Sequence, residues 1–96
     1  MSIRLDKFLK LARLVKRRSV AQEMIELGAV RIEGRTCKPA AEVREGTLVE
    51  VAYMNRVLKV RVLCADEALL KRRVTTAWEQ VEERPVSPDE NPWPEG

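Results

Sequence analysis

The chain of 96 residues contains no histidine. That removes the side chain that most often serves as a general base or a metal ligand near neutral pH, and with it any Ser-His or Cys-His nucleophile pair. Cysteine is scarce: Cys37 and Cys64 stand far apart, without the Cys-x-x-Cys spacing of a zinc site or redox pair, and both are expected to be free thiols. Aromatic residues are 4% of the chain, too few for a platform that stacks single-stranded bases. No apolar run approaches the roughly 18 residues of a membrane span. The opening Met1-Ser2-Ile3-Arg4-Leu5-Asp6-Lys7 is charged too early for a secretory signal. No glycine-rich loop is placed to cradle phosphates. These absences leave no catalytic residues, no metal and no cofactor, and they describe a soluble, cytoplasmic binding protein.

Charge is what the chain has in abundance. Lys and Arg number 18 against 15 Asp and Glu, a net +3, but the two signs are segregated. Residues 1–38 carry ten basic and four acidic groups, residues 39–73 seven and five, and residues 74–96 one and six. A basic head of this kind is the electrostatic footprint of nucleic-acid binding, because Lys and Arg that neutralise phosphates release their counterions. The last twelve residues hold Pro85, Pro88, Pro92 and Pro94 among acidic and small residues, a composition that reads as a disordered tail over 85–96 with Trp93 as its one large apolar side chain.

From Arg4 to Val15 the apolar residues Leu5, Phe8, Leu9, Ala12 and Val15 recur at helical spacing. On that helix Lys10, Arg13 and Arg17 fall together on the opposite side, with Lys7 at its edge. A second helix is expected over about 20–27, with Ser19 as N-cap, Gln22 completing a Ser-x-x-Gln capping box and Gly28 after its end. Val20, Ala21, Met24, Ile25 and Leu27 would form its buried face. Lys16, Arg17 and Arg18 are left at the corner between the helices, where neither can bury them. Beyond Gly28 the period drops to two: Val30 and Ile32, then Leu48, Val49 and Val51, then Val57, Leu58, Val60 and Val62 read as three short strands. Asp66 would cap a third helix carrying Leu70, Val74, Ala77, Trp78 and Val81 on one stripe and ending at Arg84-Pro85. The fold class is α+β: a unit over 1–64 of two helices packed on a small antiparallel sheet, a C-terminal helix over 65–84 packed on it, and the tail.

The run Arg4-Leu5-Asp6-Lys7-Phe8-Leu9, followed by Arg13-Leu14, Lys16-Arg17-Arg18-Ser19, Ala21, Ile25, Gly28, Val30-Arg31-Ile32, Gly34, Lys38-Pro39, Val43 and Gly46, resembles the RNA-binding domain named after small-subunit ribosomal protein S-four. It covers about residues 3–52 and departs from that pattern at Glu33, where Asn often precedes the glycine, and at Thr47, where Asp often follows it. The resemblance implies the αL RNA-binding motif, two helices and a hairpin that sit on structured RNA. It places Arg4, Lys7, Arg13, Lys16, Arg17, Arg18, Ser19 and Gln22 at the RNA, with Arg35 and Lys38 reaching it from the hairpin side. Helical geometry adds Lys10 to the same surface. Arg4 and Arg18 rank first among these, while Asp6 is expected to be structural, accepting a hydrogen bond near a helix start or orienting Lys10.

Pseudouridine synthases and tyrosyl-tRNA synthetases also carry this domain, so the domain alone names no function. The sequence as given holds no synthase or synthetase domain. Its opening Arg-Leu-Asp-Lys-Phe-Leu-Lys is similar to that of the short members of the heat-shock protein fifteen family that serve bacterial ribosome-associated quality control. That similarity implies binding to large-subunit ribosomal RNA and to the peptidyl-tRNA of stalled, split ribosomes, in support of alanine tailing by an RqcH-type factor, as a monomer. A different ribosomal task, such as subunit assembly or recycling, and a protein-interaction module are the alternatives. RNA duplexes present regular phosphates and a shallow minor groove, so recognition is expected through backbone and shape.

Overall fold

Both helices of the N-terminal half end where a residue enters the left-handed region, and those two stops set its shape. The computed structural model describes residues 1–93. Its elements run β1 (Ser2–Arg4), α1 (Leu5–Leu11), α2 (Arg18–Glu26), β2 (Val30–Ile32), β3 (Arg35–Thr36), β4 (Glu42–Arg44), β5 (Leu48–Ala52), β6 (Arg56–Val62), α3 (Glu67–Arg72) and β7 (Trp78–Pro85). The fold is α+β, with α1 and α2 packed on an antiparallel sheet of order β3-β2-β5-β6-β7 and a second small sheet of β1 with β4. That second sheet, in which Ile3 pairs with Val43, was not among the expected strands.

Helix α1 forms because Leu5, Phe8 and Leu9 share one face, and all three are fully buried. It is shorter than the periodicity suggests. Arg13 takes φ 63°, and the N–H groups of Arg13 and Leu14 donate back to the carbonyls of Lys10 and Leu9 at 3.1 and 3.0 Å, a Schellman closure. Leu14 and Val15 are buried from this turn rather than from a helix, which is why their spacing read as helical. Helix α2 starts at Arg18 with Arg17 as N-cap and no side-chain capping bond. Ser19 therefore lies inside the helix, one residue past the cap, and the expected capping box does not form; the Gln22 amide donates instead to Asp6. The far end agrees with expectation: Gly28 (φ 79°) and Ala29 donate to the carbonyls of Ile25 and Met24. Ala21 and Ile25 carry the buried face, while Val20 and Leu27 are exposed.

The core joins these helices to Val30, Val49, Val51, Val60 and Val62 from the sheet, all fully buried. The β2–β3 hairpin turns on Glu33 and Gly34, both at positive φ (50° and 79°), the primed geometry whose twist matches its strands. Glu33 holds that turn by accepting the Leu48 N–H on its carboxylate at 2.9 Å, and Thr47 holds the next by accepting the Arg44 N–H at 3.1 Å. Both departures from the family pattern thus keep their turns.

The C-terminal part corrects the sequence reading. Asp66 caps α3 as expected, accepting from the N–H groups of Ala68 and Leu69, but the helix stops at Arg72 with Arg73 in the left-handed region. The β-branched run Val74-Thr75-Thr76 is poor helix material, and β6 offers an open edge along its length. Residues 78–85 take that edge as β7, from Trp78 opposite Val62 to Pro85 opposite Arg56. Val74 and Val81, placed on a helical stripe by spacing alone, are exposed. Trp78 packs against the core, though from a strand.

The segment from residue 85 begins folded back on the sheet. Val86 and Trp93 are buried against Val57, the Trp93 indole N–H donates to the Gly28 carbonyl at 3.0 Å, and the Arg31 guanidinium lies 4.3 Å from the Trp93 ring centre. Residues 94–96, the end of the expected disordered tail, lie outside the described residues. Trp93→Ala removes most of this small cluster, and a loss of roughly 2–3 kcal/mol is expected. In a domain of this size that lowers the thermal midpoint by on the order of 10 °C, readable by calorimetry; an unchanged midpoint would show that the tail does not hold the sheet.

Candidate nucleic-acid interface

Asp6 is the one charged side chain fully buried among the described residues. It gets there because α1 starts against the 38–44 segment: the Leu5 and Asp6 N–H groups donate to the carbonyls of Ala41 and Pro39 at 2.7 and 3.3 Å, so backbone caps the helix and the Asp6 side chain is left to turn inward. Its Oδ1 accepts the Lys7 N–H at 2.8 Å and Arg4 Nε at 3.2 Å. Its Oδ2 accepts Arg4 Nη2 at 3.0 Å, Arg18 Nε at 3.2 Å and Gln22 Nε2 at 2.8 Å. Burial alone pushes this carboxyl up, but the bonds from Gln22, Arg4, Arg18 and the Lys7 N–H outweigh it and hold the pKa at about 2 against an ordinary 3.8. One carboxylate thereby ties the end of β1, the first turn of α1 and the first turn of α2 into one unit. Asp6 is structural as the sequence suggested, though it orients Arg4 and Arg18 rather than Lys10.

The turn between α1 and α2 is braced from the other side by two aromatic donors. Tyr53 Oη donates to the Leu14 carbonyl at 2.7 Å, and the Trp78 indole N–H donates to the Ala12 carbonyl at 3.0 Å. Arg13, Lys16 and Arg17 project from this fixed turn, exposed, and among the described residues none of them lies in an ion pair. A cation on fixed backbone loses less freedom when it meets a phosphate than one on a mobile loop.

Beside the corner, Lys7, Lys10, Leu11, Arg18, Glu67 and Lys71 line a groove of about 330 Å³ between α1 and α3. Glu67 spans it, with Lys7 Nζ at 3.4 Å from one oxygen and Lys71 Nζ at 2.9 Å from the other. The Lys71 bond and, behind it, Lys7 hold the Glu67 carboxyl below its usual range. Lys71 was not among the residues singled out from sequence. The Lys71-Arg72-Arg73 run was visible, but a helix misdrawn to residue 84 gave no reason to aim it at α1.

Of the eleven expected residues, Arg4, Lys7, Lys10, Arg13, Lys16, Arg17, Arg18, Ser19 and Gln22 do come together around α1, the turn and the start of α2. Lys38 joins them at the other end: it opens the 38–41 turn whose Pro39 carbonyl takes the Asp6 N–H. Arg35 sits apart, exposed on β3 at the sheet edge, with no hydrogen bond or ion pair to the corner among the described residues. The chemistry available here is multidentate donation to anions. No group of His, Cys, Asp or Glu that could hold a metal occurs among the described residues, and no described helix is long and apolar enough to cross a membrane.

Comparison with known proteins identifies the family of the chain. The family model of the S4 domain matches residues 3–49. A protein of Halalkalibacterium halodurans named RQC P-site tRNA stabilizing factor is 34% identical over 88 residues, covering 92% of this chain and 100% of the relative. The protein of the same name from Streptococcus pneumoniae is 32% identical over 84 residues, 88% and 96% of the two chains. Among solved structures, the trimeric heat shock protein 15 of Vibrio cholerae superposes with a TM-score of 0.69 at 25% identity, over 84% of this chain and 83% of that one.

The depressed Asp6 pKa makes a prediction with a fixed sign. Since the folded value, about 2, lies below the unfolded 3.8, the group stabilises the fold above about pH 5, and that contribution is lost as pH falls through about 2. It amounts to about 2 kcal/mol. Urea unfolding from pH 7 to pH 2 is therefore expected to show the stability gap between wild type and Asp6→Asn closing across that window, and a gap that stays constant would remove Asp6 as the titrating brace.

Proposed function

We propose that this chain, which belongs to the family of the relatives named RQC P-site tRNA stabilizing factor and matches the S4 domain over residues 3–49, works in ribosome-associated quality control by holding tRNA on the large ribosomal subunit. The observation that carries this reading is the braced corner: a buried carboxylate and two aromatic donors fix the backbone from which Arg13, Lys16 and Arg17 project, with Arg4 and Arg18 oriented beside them. Such a surface contacts the phosphates of ribosomal RNA with one part and those of the peptidyl-tRNA with another, and lowers the free energy of the tRNA where it sits. Retention of the tRNA is then what an RqcH-type factor needs in order to extend the stalled chain with alanine. In this reading no bond is made or broken by the protein, which acts as a monomer.

The RNA-contacting set is Arg4, Lys7, Lys10, Arg13, Lys16, Arg17, Arg18, Ser19, Gln22 and Lys38, with Arg35 as an outlying contact from the hairpin. Arg18 is a poor residue for a simple test, since Arg18→Glu would set a second carboxylate against buried Asp6 and disturb the fold as well as the surface. Arg17 has no such partner among the described residues, and its side chain is exposed.

Arg17→Glu is therefore expected to leave the circular-dichroism spectrum and thermal midpoint unchanged and to weaken co-sedimentation with large subunits by about tenfold or more. Preference for subunits that retain peptidyl-tRNA supports the quality-control reading, while equal binding to empty subunits would move the protein to assembly or recycling. With about six phosphates neutralised, log affinity against log salt should fall with a slope of roughly −4 to −5. A slope near zero would contradict backbone recognition.

A further inference from the structure

Among the described residues, helices α1 and α3 end on an arginine in a conformation that favours glycine. Arg13 closes α1 at φ 63°, and Arg73 closes α3 at φ 57°. For a residue with a Cβ this region is disfavoured, and glycine is the usual occupant at such helix ends. Both arginines line the same groove, about 270 Å³, together with Thr75, Thr76 and Trp78, and no carboxylate lines it. The carbonyls at these helix ends are already engaged: Lys10 by the Arg13 N–H, Leu9 by the Leu14 N–H, Leu70 by the Arg73 N–H and Ala12 by the Trp78 indole. What remains to meet a ligand is two arginines that lie in no ion pair among the described residues, in a groove also lined by Thr75 and Thr76.

Backbone strain is kept where the side chain it carries is needed, and here it is kept twice around one groove. We propose that Arg13 and Arg73 form a two-arginine clamp on a single RNA backbone phosphate, with Thr75 and Thr76 as supplementary donors. Guanidinium groups suit a phosphate because their planar forks donate two parallel bonds. Arg73, Thr75 and Thr76 lie beyond residues 3–49 that match the S4 domain, so the clamp extends the RNA surface onto the C-terminal part of this chain. The proposal rests on the RNA-binding reading above.

Glycine is the discriminating substitution, because it removes the guanidinium and relieves the backbone at once. Full-length wild type, Arg13→Gly, Arg73→Gly and the double variant are titrated against purified large subunits, empty or holding a P-site tRNA, over a salt series. Arg73→Gly is expected to bind about fivefold more weakly and to lower the steepness of the salt dependence by about one, with a thermal midpoint equal to or above wild type. The double variant should lose little more than either single one, because both side chains serve one phosphate. A loss on both kinds of subunit assigns that phosphate to ribosomal RNA, and a loss confined to the loaded ones assigns it to tRNA. Wild-type affinity and slope in Arg73→Gly, or fully additive losses in the double variant, would overturn the clamp while the RNA-binding reading stands. Failure of the wild type to bind either subunit would overturn both.

Discussion

One buried carboxylate carries the architecture of the basic surface. Burying an unpaired carboxylate would push its pKa up and cost stability, yet Asp6 sits at about 2 because four residues donate to it. The consequence is geometric. Arg4 comes from the end of β1, Arg18 and Gln22 from the start of α2, and the carboxylate from α1, so three elements are registered to each other through one group. Removing either side of such a network leaves a buried charge or an unpaired donor, which is far more costly than losing a surface ion pair. The neighbouring Glu67 does a looser version of the same job for Lys7 and Lys71, half-exposed and therefore screened.

For the proposed RNA ligand, rigidity matters because that ligand is regular. Phosphates along an RNA duplex recur at fixed spacing, and a set of cations held at fixed positions can match several at once without first being ordered. The Schellman closure at Arg13, the Tyr53 hydroxyl on Leu14 and the Trp78 indole on Ala12 give the turn between the helices that fixity. Tyr53 and Trp78 reach it from the sheet side, so the five-stranded sheet holds the corner still. The acidic residues of β7 are spent on that sheet as well: Glu79 and Glu83 pair with Arg61 and Arg56 of β6 at 2.6 Å. This accounts for part of the charge asymmetry along the chain without assigning it to RNA.

The basic helices, the Gly28 stop and the three inner strands were legible because each is a local signal: apolar spacing of three and four, a glycine at a helix end, then alternation by two. The cations of the corner were legible as a cluster, but on a helix drawn too long: α1 stops at Leu11, and it is the left-handed Arg13 and the extended Arg17, not a shared helix face, that set them beside Lys10. What escaped was decided by tertiary contact. Ser19 and Gln22 spell a capping box, but the helix starts one residue earlier, at Arg18, and Gln22 donates to the buried Asp6. Leu70, Val74, Ala77, Trp78 and Val81 spell a helical stripe, but the open edge of β6 draws 78–85 into a strand. Trp93 in a proline-rich tail gave no local hint of the cleft beside Gly28 that it fills. The short β1–β4 sheet escaped because Ile3 and Val43 are single apolar residues with too little pattern around them to mark a strand.

Asp6→Asn tests the central claim most directly, because charge and bracing pull it in opposite directions. The substitution makes the protein one unit more positive, so a surface that worked by net charge alone would bind large subunits more tightly. If the corner works because the carboxylate fixes it, the same variant binds more weakly at a temperature where both proteins are folded. Weaker binding by Asp6→Asn is the result this account predicts; equal or tighter binding would contradict it.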